Sequence, residues 1–227
     1  SALALALVAL ALPACAGSIA LAPPGGAGWQ SFDFVRKPRH TVYAPLEEDG
    51  VVGVRATSEC AASAIYLPVA GVDLTRTPRL AWRWRIKRGL EVADERTRRG
   101  DDFAARVYVT FRFDPEHAPF AERLRYRLAR ALYGERVWGR ALVYAWTSHE
   151  PAGARWDSPV AAGAKMISLG CGPLPVWATA EVDVAADFAA AFADAPPPLQ
   201  AVALMTDSDD TCSGATADFA DLRFVGP

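Results

Sequence analysis

The chain has 227 residues, of which 52% are hydrophobic, and it carries 24 Lys and Arg against 26 Asp and Glu. This length and apolar fraction suffice for one large domain with a full hydrophobic core. The net charge of -2 argues against nucleic acid as the main partner, because nucleic-acid-binding proteins normally carry a basic excess.

Residues 1–16 have the character of an export signal. The run that ends at Pro13 consists of Ala, Leu and Val, has the length of a signal-peptide core and is too short to cross a bilayer as a helix. Leu12-Pro13-Ala14-Cys15 resembles the lipobox of bacterial lipoproteins, and ordinary cleavage after Ala16 is the alternative. We therefore expect an exported protein, either periplasmic or an outer-membrane lipoprotein anchored through Cys15, with residues 17–28 as a linker.

Export permits disulfide bonds. Apart from Cys15 the chain has Cys60, Cys171 and Cys212, which allow at most one bridge and one spare thiol. The residues leave the pairing open, and we favour Cys60–Cys212. The sequence has no C-x-x-C motif and no Cys/His cluster, which speaks against structural zinc.

We expect residues 29–227 to form a single domain of short strands separated by turn signals such as Asp49-Gly50. Only Pro119–Tyr133 and Ala185–Phe192 have helical patterns. Many short strands with few helices predict an all-β fold, a jelly-roll-like β-sandwich of two antiparallel sheets. The predicted strands are 40–44, 51–57, 64–69, 80–87, 102–113, 141–146, 166–170, 177–183, 199–206 and 216–225.

The longest alternating segment is DFAARVYVTFRF at residues 102–113, which predicts a strand with one buried face. Its other face carries Arg106, Tyr108 and Arg112. LAWRWRIK at residues 80–87 likewise alternates apolar residues with basic ones. We expect Trp82 and Trp84 to be buried, because burying tryptophan is far more favourable than burying arginine.

If these strands are neighbours in one sheet, their polar sides form one surface. Guanidinium groups bind carboxylate or phosphate, and aromatic faces stack on sugar rings. The sequence then predicts a non-catalytic binding protein for an acidic or polyhydroxylated ligand, with envelope or extracellular polysaccharide as its partner. The alternative is a structural charge network of arginines with Asp102, Asp207 and Asp209. The candidate ligand-binding residues are Arg83, Arg85, Asp102, Arg106, Tyr108, Arg112, Tyr144, Trp146, Trp156 and Asp209.

An enzyme acting on the same face is a second hypothesis. The sequence has no G-x-S-x-G elbow before a helix, which speaks against a serine hydrolase of that type. The enzymes that remain as alternatives are a polysaccharide lyase and a glycoside hydrolase. For a lyase, the candidate catalytic residues are Arg106, Tyr108 and His149. No cofactor is expected except a structural Ca²⁺ at Asp207, Asp209 and Asp210. That loop lacks the glycine and distal glutamate of an EF-hand, and capping of backbone amides is the alternative use.

The predicted helix at residues 119–133 is amphipathic and basic. Phe120, Leu124, Leu128 and Leu132 form its apolar stripe. We expect the helix to cover the sandwich with its arginines solvated. An envelope scaffold that touches a partner or anionic lipid through the helix around Arg127 is the third functional hypothesis.

Four segments together resemble a family of bacterial exported proteins classed as a domain of unknown function (DUF3047). They are TPRLAWRWR (Thr77–Arg85), DDFAARVYV (Asp101–Val109), ALYGE (Ala131–Glu135) and AVALMTDSDDT (Ala201–Thr211). The likeness extends from about Trp29 to Val225 and implies export and a single domain, but no reaction. DSDDT stands where the family has DTDNT, so this chain lacks that amide. The closing ATADFADLRFV is similar to the last strand of jelly-roll carbohydrate-binding modules.

Overall fold

The computed structural model describes residues 17–69, 71–116, 118–134 and 137–227, so the predicted export signal lies outside the described residues. The helices are α1 (Phe120–Tyr133) and α2 (Val184–Phe192). The strands are β1 (Ser18–Ala20), β2 (Gln30–Asp33), β3 (Val42–Glu48), β4 (Val51–Glu59), β5 (Ala62–Pro68), β6 (Arg79–Arg88), β7 (Ala105–Phe111), β8 (Ala141–Thr147), β9 (Arg155–Asp157), β10 (Ala164–Cys171), β11 (Leu174–Asp183), β12 (Leu199–Asp207) and β13 (Gly214–Val225).

The strands form two sheets. The first sheet has the order β11-β6-β13-β4-β3, with β1 added beside β13, and the second sheet has the order β2-β5-β12-β7-β8-β10-β9. Strands β8 and β10 run parallel, whereas the other strand pairs of the described chain are antiparallel. The predicted two-sheet β-sandwich is therefore confirmed, with one parallel pair.

The core lies between the two sheets and follows from the alternation in the central strands. Trp82 and Trp84 of β6 are buried, as expected, and their rings meet edge to face with centroids 5.3 Å apart. From the second sheet, Val107, Val109 and Phe111 of β7 belong to the same cluster. The residues between them on each strand therefore point away from the core, to the outer face of their sheet.

Several segments differ from the sequence-based expectation, among them β2 at Gln30–Asp33, which the predicted set of strands lacks. Ser18–Ala20, placed in a linker, forms β1 and pairs with β13, and Arg155–Asp157 adds β9 within the predicted long loop. Strand β7 begins at Ala105 because Phe103 donates its backbone N–H to the Asp207 carboxylate (3.2 Å) and packs on the outer face. Strands β1 and β9 were missed because a strand of three residues is too short to show an alternating pattern.

A disulfide joins Cys60 and Cys212, which confirms the favoured pairing. The two Cα atoms are 4.1 Å apart although 152 positions separate the residues. The bridge ties the turn after β4 to the turn before β13. Cys171 is a free, exposed thiol.

Helix α1 matches the predicted helix, but its apolar stripe does not pack on the sandwich. Phe120, Leu124, Leu128 and Leu132 are all exposed. Neither described helix has the length and apolar character that a membrane-spanning helix needs.

Candidate functional site

The arginines proposed to share one surface lie on different sheets. Arg83 and Arg85 belong to β6 of the first sheet, whereas Arg106 belongs to β7 of the second. In both strands these residues alternate with core residues and point outward. The condition for a shared face is therefore not met, because the two sets of arginines lie on opposite sides of the sandwich.

On the outer face of the first sheet, Arg85 is part of an ion-pair network. Asp218 accepts from Arg85 Nε and from Arg55 Nε, each at 2.7 Å, and Glu48 pairs with both arginines. The indole of Trp177 lies over Arg85, with 4.7 Å from Cζ to the ring centroid. Arg85 is only 6% exposed, so most of its hydrogen-bonding capacity serves the fold.

Arg83 lies in the same part of the first sheet. It pairs with Asp221 (3.2 Å) and contacts the Trp177 ring, with 5.2 Å from Cζ to the centroid. It is only partly exposed, and Trp177 covers it together with Arg85. The first sheet therefore presents paired arginines beneath an indole and does not extend any surface formed by β7.

Tyr144 and Trp146 of β8 lie on the inner side of the second sheet, contrary to the prediction. The register pairs Tyr144 with Val107 of the core, and Tyr144 is fully buried with its hydroxyl donating to Asp187 (3.0 Å). Trp146 packs edge to face on Trp84, with centroids 5.9 Å apart, and donates its indole N–H to the backbone oxygen of Gly172 (2.8 Å). Both side chains are packing residues.

Arg106 points to the outer face of the second sheet but is only 2% exposed. Its guanidinium donates to Asp101 (3.2 Å) and to Asp207, and lies over the ring of Phe103 with 4.8 Å from Cζ to the centroid. Burial raises the pKa of both aspartates, against the opposing effect of Arg106. Burial alone would lower the pKa of Arg106, but the attraction of the carboxylates raises it above its ordinary value. Arg106 is thus already neutralised inside the protein.

The residues proposed for a lyase lie in different surroundings: two are on β7 and the third is in the loop after β8. Arg106 is committed to two carboxylates. The Tyr108 hydroxyl lies 3.6 Å from Met205 Sδ, and burial raises the pKa of Tyr108 above its ordinary value. His149 is exposed in the loop after β8.

The acidic loop between β12 and β13 is organised by Asp102. Its carboxylate accepts from the backbone N–H of Asp210 (3.1 Å) and from the N–H and hydroxyl of Thr211, each at 2.6 Å. Carboxylate oxygens of Asp102, Asp209 and Asp210 lie within 4.8 Å of one another, and Lys37 pairs with Asp209 and Asp210. Asp207, expected among the calcium ligands, instead binds Arg106. The three carboxylates that lie together are therefore those of Asp102, Asp209 and Asp210, with Asp102 in the place expected for Asp207.

Aromatic side chains cover the outer face of the second sheet. We define the aromatic face as these residues, which form or flank two apolar clusters joined through Tyr108 and Trp138. Five of them keep part of their surface exposed, while Phe32 and Phe103 are buried beneath. The residues of the aromatic face are Phe32, Phe34, Tyr66, Phe103, Tyr108, Trp138 and Trp156.

The rings of the aromatic face contact one another across the sheet. Trp138 is central, with its centroid 5.8 Å from that of Phe32 and 6.3 Å from that of Tyr108. Toward β9, Phe103 and Trp156 stack with centroids 6.5 Å apart. A sheet face that is solvated normally carries polar residues, so this composition makes the aromatic face the candidate binding surface.

Polar groups lie at both ends of the aromatic face. At one end the Tyr66 hydroxyl donates to the Gln30 side-chain oxygen (2.7 Å). At the other, Arg96 lies over the Trp156 ring (5.4 Å from Cζ to the centroid) and donates twice to Glu150, each time at 2.7 Å. Hydrogen-bonding side chains therefore border the rings at both ends of the aromatic face.

The profile of the family described as "Protein of unknown function (DUF3047)" matches residues 27–223. The chain belongs to this family. No curated protein matches it. The resemblance inferred from the four sequence segments is therefore confirmed.

Solved structures similar to this DUF3047 protein include carbohydrate-binding modules and cellulases, all at low identity. The family 11 carbohydrate-binding module of a Clostridium thermocellum cellulase is 9% identical, with a TM-score of 0.50, over 94% of this chain and 97% of the module. A family 30 module from the same organism is 10% identical (TM-score 0.47; 91% and 95% covered). A cellulase derived from that of Rhodothermus marinus is 12% identical (TM-score 0.44; 92% and 99% covered). The first likeness supports the jelly-roll fold alone.

Sequence reasoning on this DUF3047 member found Tyr108 and Trp156 but missed Phe34, Tyr66 and Trp138 of the aromatic face. Trp138 precedes Gly139, where an added Cβ would lie 2.7 Å from the Phe113 Cα. The Trp138-Gly139 pair just before β8 is the sequence signal that could have indicated this close backbone approach. Arg112, the remaining candidate, lies exposed just beyond the end of β7.

Proposed function

We propose that this protein is a non-catalytic glycan-binding protein that holds a polyhydroxylated ligand on the aromatic face. The observation that carries the proposal is the row of partly exposed rings, centred on Trp138, on the outer face of a rigid sheet. Flat rings contact the apolar faces of sugar rings, and few other residues offer such area at so low an entropic cost. The similar carbohydrate-binding modules share the fold, whereas the aromatic face supplies the chemical argument.

The ligand is polyhydroxylated and weakly charged in this proposal. The acidic ligand expected from the sequence required several free arginines on one surface. Arg106 is neutralised by Asp101 and Asp207, and Arg85 is engaged on the other sheet. Hydroxyl groups are matched instead by the polar groups at the two ends of the aromatic face, at Gln30 and Glu150.

We also propose export, with an envelope or extracellular polysaccharide as the source of the ligand. The Cys60–Cys212 disulfide supports export, since such bonds persist in oxidising compartments. The apolar run before Pro13 supports it independently. An anchor at Cys15 remains part of this proposal.

The test is a glycan array followed by calorimetric titration of the best ligand. Trp138→Ala is expected to weaken binding at least about tenfold, since ring contacts each contribute about 1 kcal/mol beyond their area. Trp177→Ala is the matched control, because it removes a partly buried indole from the opposite sheet. Equal losses in both variants, or no binding to any glycan, would reject the proposal.

Trp138 also packs on Phe32, so its replacement can affect folding. Tyr66→Phe is the second variant, since it removes only the hydroxyl beside Gln30. We expect it to retain the thermal stability of the parent and to weaken binding of the same glycan severalfold. Unchanged affinity would show that this end of the aromatic face takes no part.

A further inference from the structure

Helix α1 presents its apolar stripe to solvent. Phe120 is 74% exposed, Leu124 48%, Leu128 61% and Leu132 71%. These four residues recur at every fourth position and so lie along one side of the helix. A contiguous exposed apolar strip of this kind indicates a surface that something else covers.

The opposite side of α1 attaches the helix to the domain. The Tyr126 ring stacks on Phe113, with centroids 3.9 Å apart and planes 11° from parallel. The Glu122 carboxylate lies 3.7 Å from Arg140 Nε. Because successive residues turn by about 100°, Glu122 and Tyr126 lie on the far side from the stripe. The helix is thus held with its apolar side facing outward.

The charges of α1 border this apolar side. The helix has four arginines, all exposed, and a single acidic residue, Glu122. The helical rotation of about 100° per residue places Arg127 beside the Phe120 edge of the stripe and Arg125 beside the Leu132 edge. An apolar strip with cations along both margins is complementary to an apolar interior covered by anionic groups. The four arginines are Arg123, Arg125, Arg127 and Arg130.

We propose that α1 is an interfacial helix that lies in the plane of an anionic phospholipid membrane. The phenylalanine and leucines enter the boundary between headgroups and acyl chains, and the arginines bind the phosphates. The helix has 14 residues and is therefore about 21 Å long, long enough to lie along the surface but not to cross it. No residue of the stripe belongs to the aromatic face, so the proposal stands without the glycan proposal.

The charges also distinguish a membrane from other occupants of the stripe. Residues 1–16 are apolar but contain no Asp or Glu, so they offer nothing for the arginines. A second copy of α1 would bring eight arginines together against two glutamates. An anionic membrane surface, by contrast, satisfies both the apolar and the basic components.

The experiment measures co-sedimentation of the full chain with vesicles in which about a third of the lipid is phosphatidylglycerol, compared with phosphatidylcholine alone. The double variant Leu124→Asp/Leu128→Asp and the double variant Arg123→Glu/Arg127→Glu are each expected to lower binding at least about tenfold. The matched controls, Val42→Asp/Val176→Asp and Arg98→Glu/Arg99→Glu, change exposed residues elsewhere and are expected to bind like the parent. The parent and all variants carry the same apolar N-terminal run, so any vesicle binding by that run is common to them and does not affect the comparison.

Binding that the α1 variants leave unchanged, or that the controls lower equally, would overturn the proposal. So would equal binding to both kinds of vesicle, because the arginines would then contribute nothing. A fall in melting temperature confined to Leu124→Asp/Leu128→Asp would also overturn it, since the stripe would then be covered by the chain itself. Recovery of a stable dimer through α1 without vesicles would identify a second copy as the occupant and reject the membrane.

Discussion

Arg106 and Asp207 lie 101 positions apart in the chain and form a buried ion pair on the outer face of the second sheet. Strand β12 pairs with β7 so that Met205 lies opposite Arg106, which brings the carboxylate two residues further along within reach of the guanidinium. Asp101 completes the group from the segment before β7. In β7, where Arg106, Tyr108 and Thr110 alternate with core residues, Arg106 thus carries a structural charge at the position where the sequence suggested a ligand contact.

We expect Arg106→Ala to destabilise the fold by about 3–5 kcal/mol, because it leaves two buried carboxyl groups without their cation. Thermal unfolding of the purified protein measures this loss. Arg112→Ala is the control, since Arg112 is exposed at the end of the same strand and its loss should leave the melting temperature unchanged. A stable Arg106→Ala protein that has lost glycan binding would restore Arg106 as a ligand-binding residue.

The Asp218 network predicts a loss of stability in acid. Burial raises the pKa of Asp218, but hydrogen bonds from Arg55 and Arg85 outweigh it and hold the pKa below the ordinary value of 3.8. A carboxyl whose pKa is lower in the folded state stabilises the protein above its unfolded pKa, and this contribution is lost as the pH falls through the folded pKa.

Asp218→Asn cannot titrate, so its melting temperature should lie below that of the parent near neutral pH. The gap should shrink as the pH falls below about 4. Differential scanning fluorimetry across this range provides the measurement. A gap that stays constant with pH would show that Asp218 contributes through packing and not through its charge.

Removing the Cys60–Cys212 bridge is expected to lower stability by about 3–5 kcal/mol, because the bridge closes a long loop in the unfolded chain. The double variant Cys60→Ser/Cys212→Ser and chemical denaturation test this. Cys171→Ser, which replaces an exposed free thiol, should unfold at the same denaturant concentration as the parent. Equal stability of all three proteins would contradict the expectation.

Gly53 allows β4 and β13 to approach closely. A Cβ at this position would lie 2.2 Å from the backbone oxygen of Phe219, so the two strands would have to separate. We expect Gly53→Ala to cost about 1–3 kcal/mol, as other overpacking substitutions do. Gly89→Ala is the control, because its nearest neighbour, an atom of Ile86, is 3.9 Å away. Similar melting temperatures for the two variants would refute a close approach.

Local patterns predicted the strands whose two sides differ strongly. In β6 tryptophans alternate with arginines, and burial of Trp82 and Trp84 followed directly from the difference in hydrophobicity. In β8 both sides are apolar: Ala141, Val143 and Ala145 form one, and Leu142, Tyr144 and Trp146 form the other. Alternation cannot show which of two apolar sides faces the core, so Tyr144 and Trp146 were assigned to the wrong side.

The period of a sequence determines which of its residues share one side of a strand or helix. Phe120 and Leu128 therefore had to lie on the same side of α1, and Arg106 and Tyr108 on the same side of β7, whatever the fold. Family membership and the sandwich architecture were also readable from the sequence.

Which sides meet was decided only by the tertiary structure, because strand pairing joins residues far apart in the chain. That pairing placed Arg85 and Arg106 on opposite faces of the sandwich and brought Arg106 into an ion pair with Asp207. It brought Trp138 between Phe32 and Tyr108, and the packing of Tyr126 on Phe113 turned the leucines of α1 outward. Such contacts depend on chain topology, which short-range alternation does not contain.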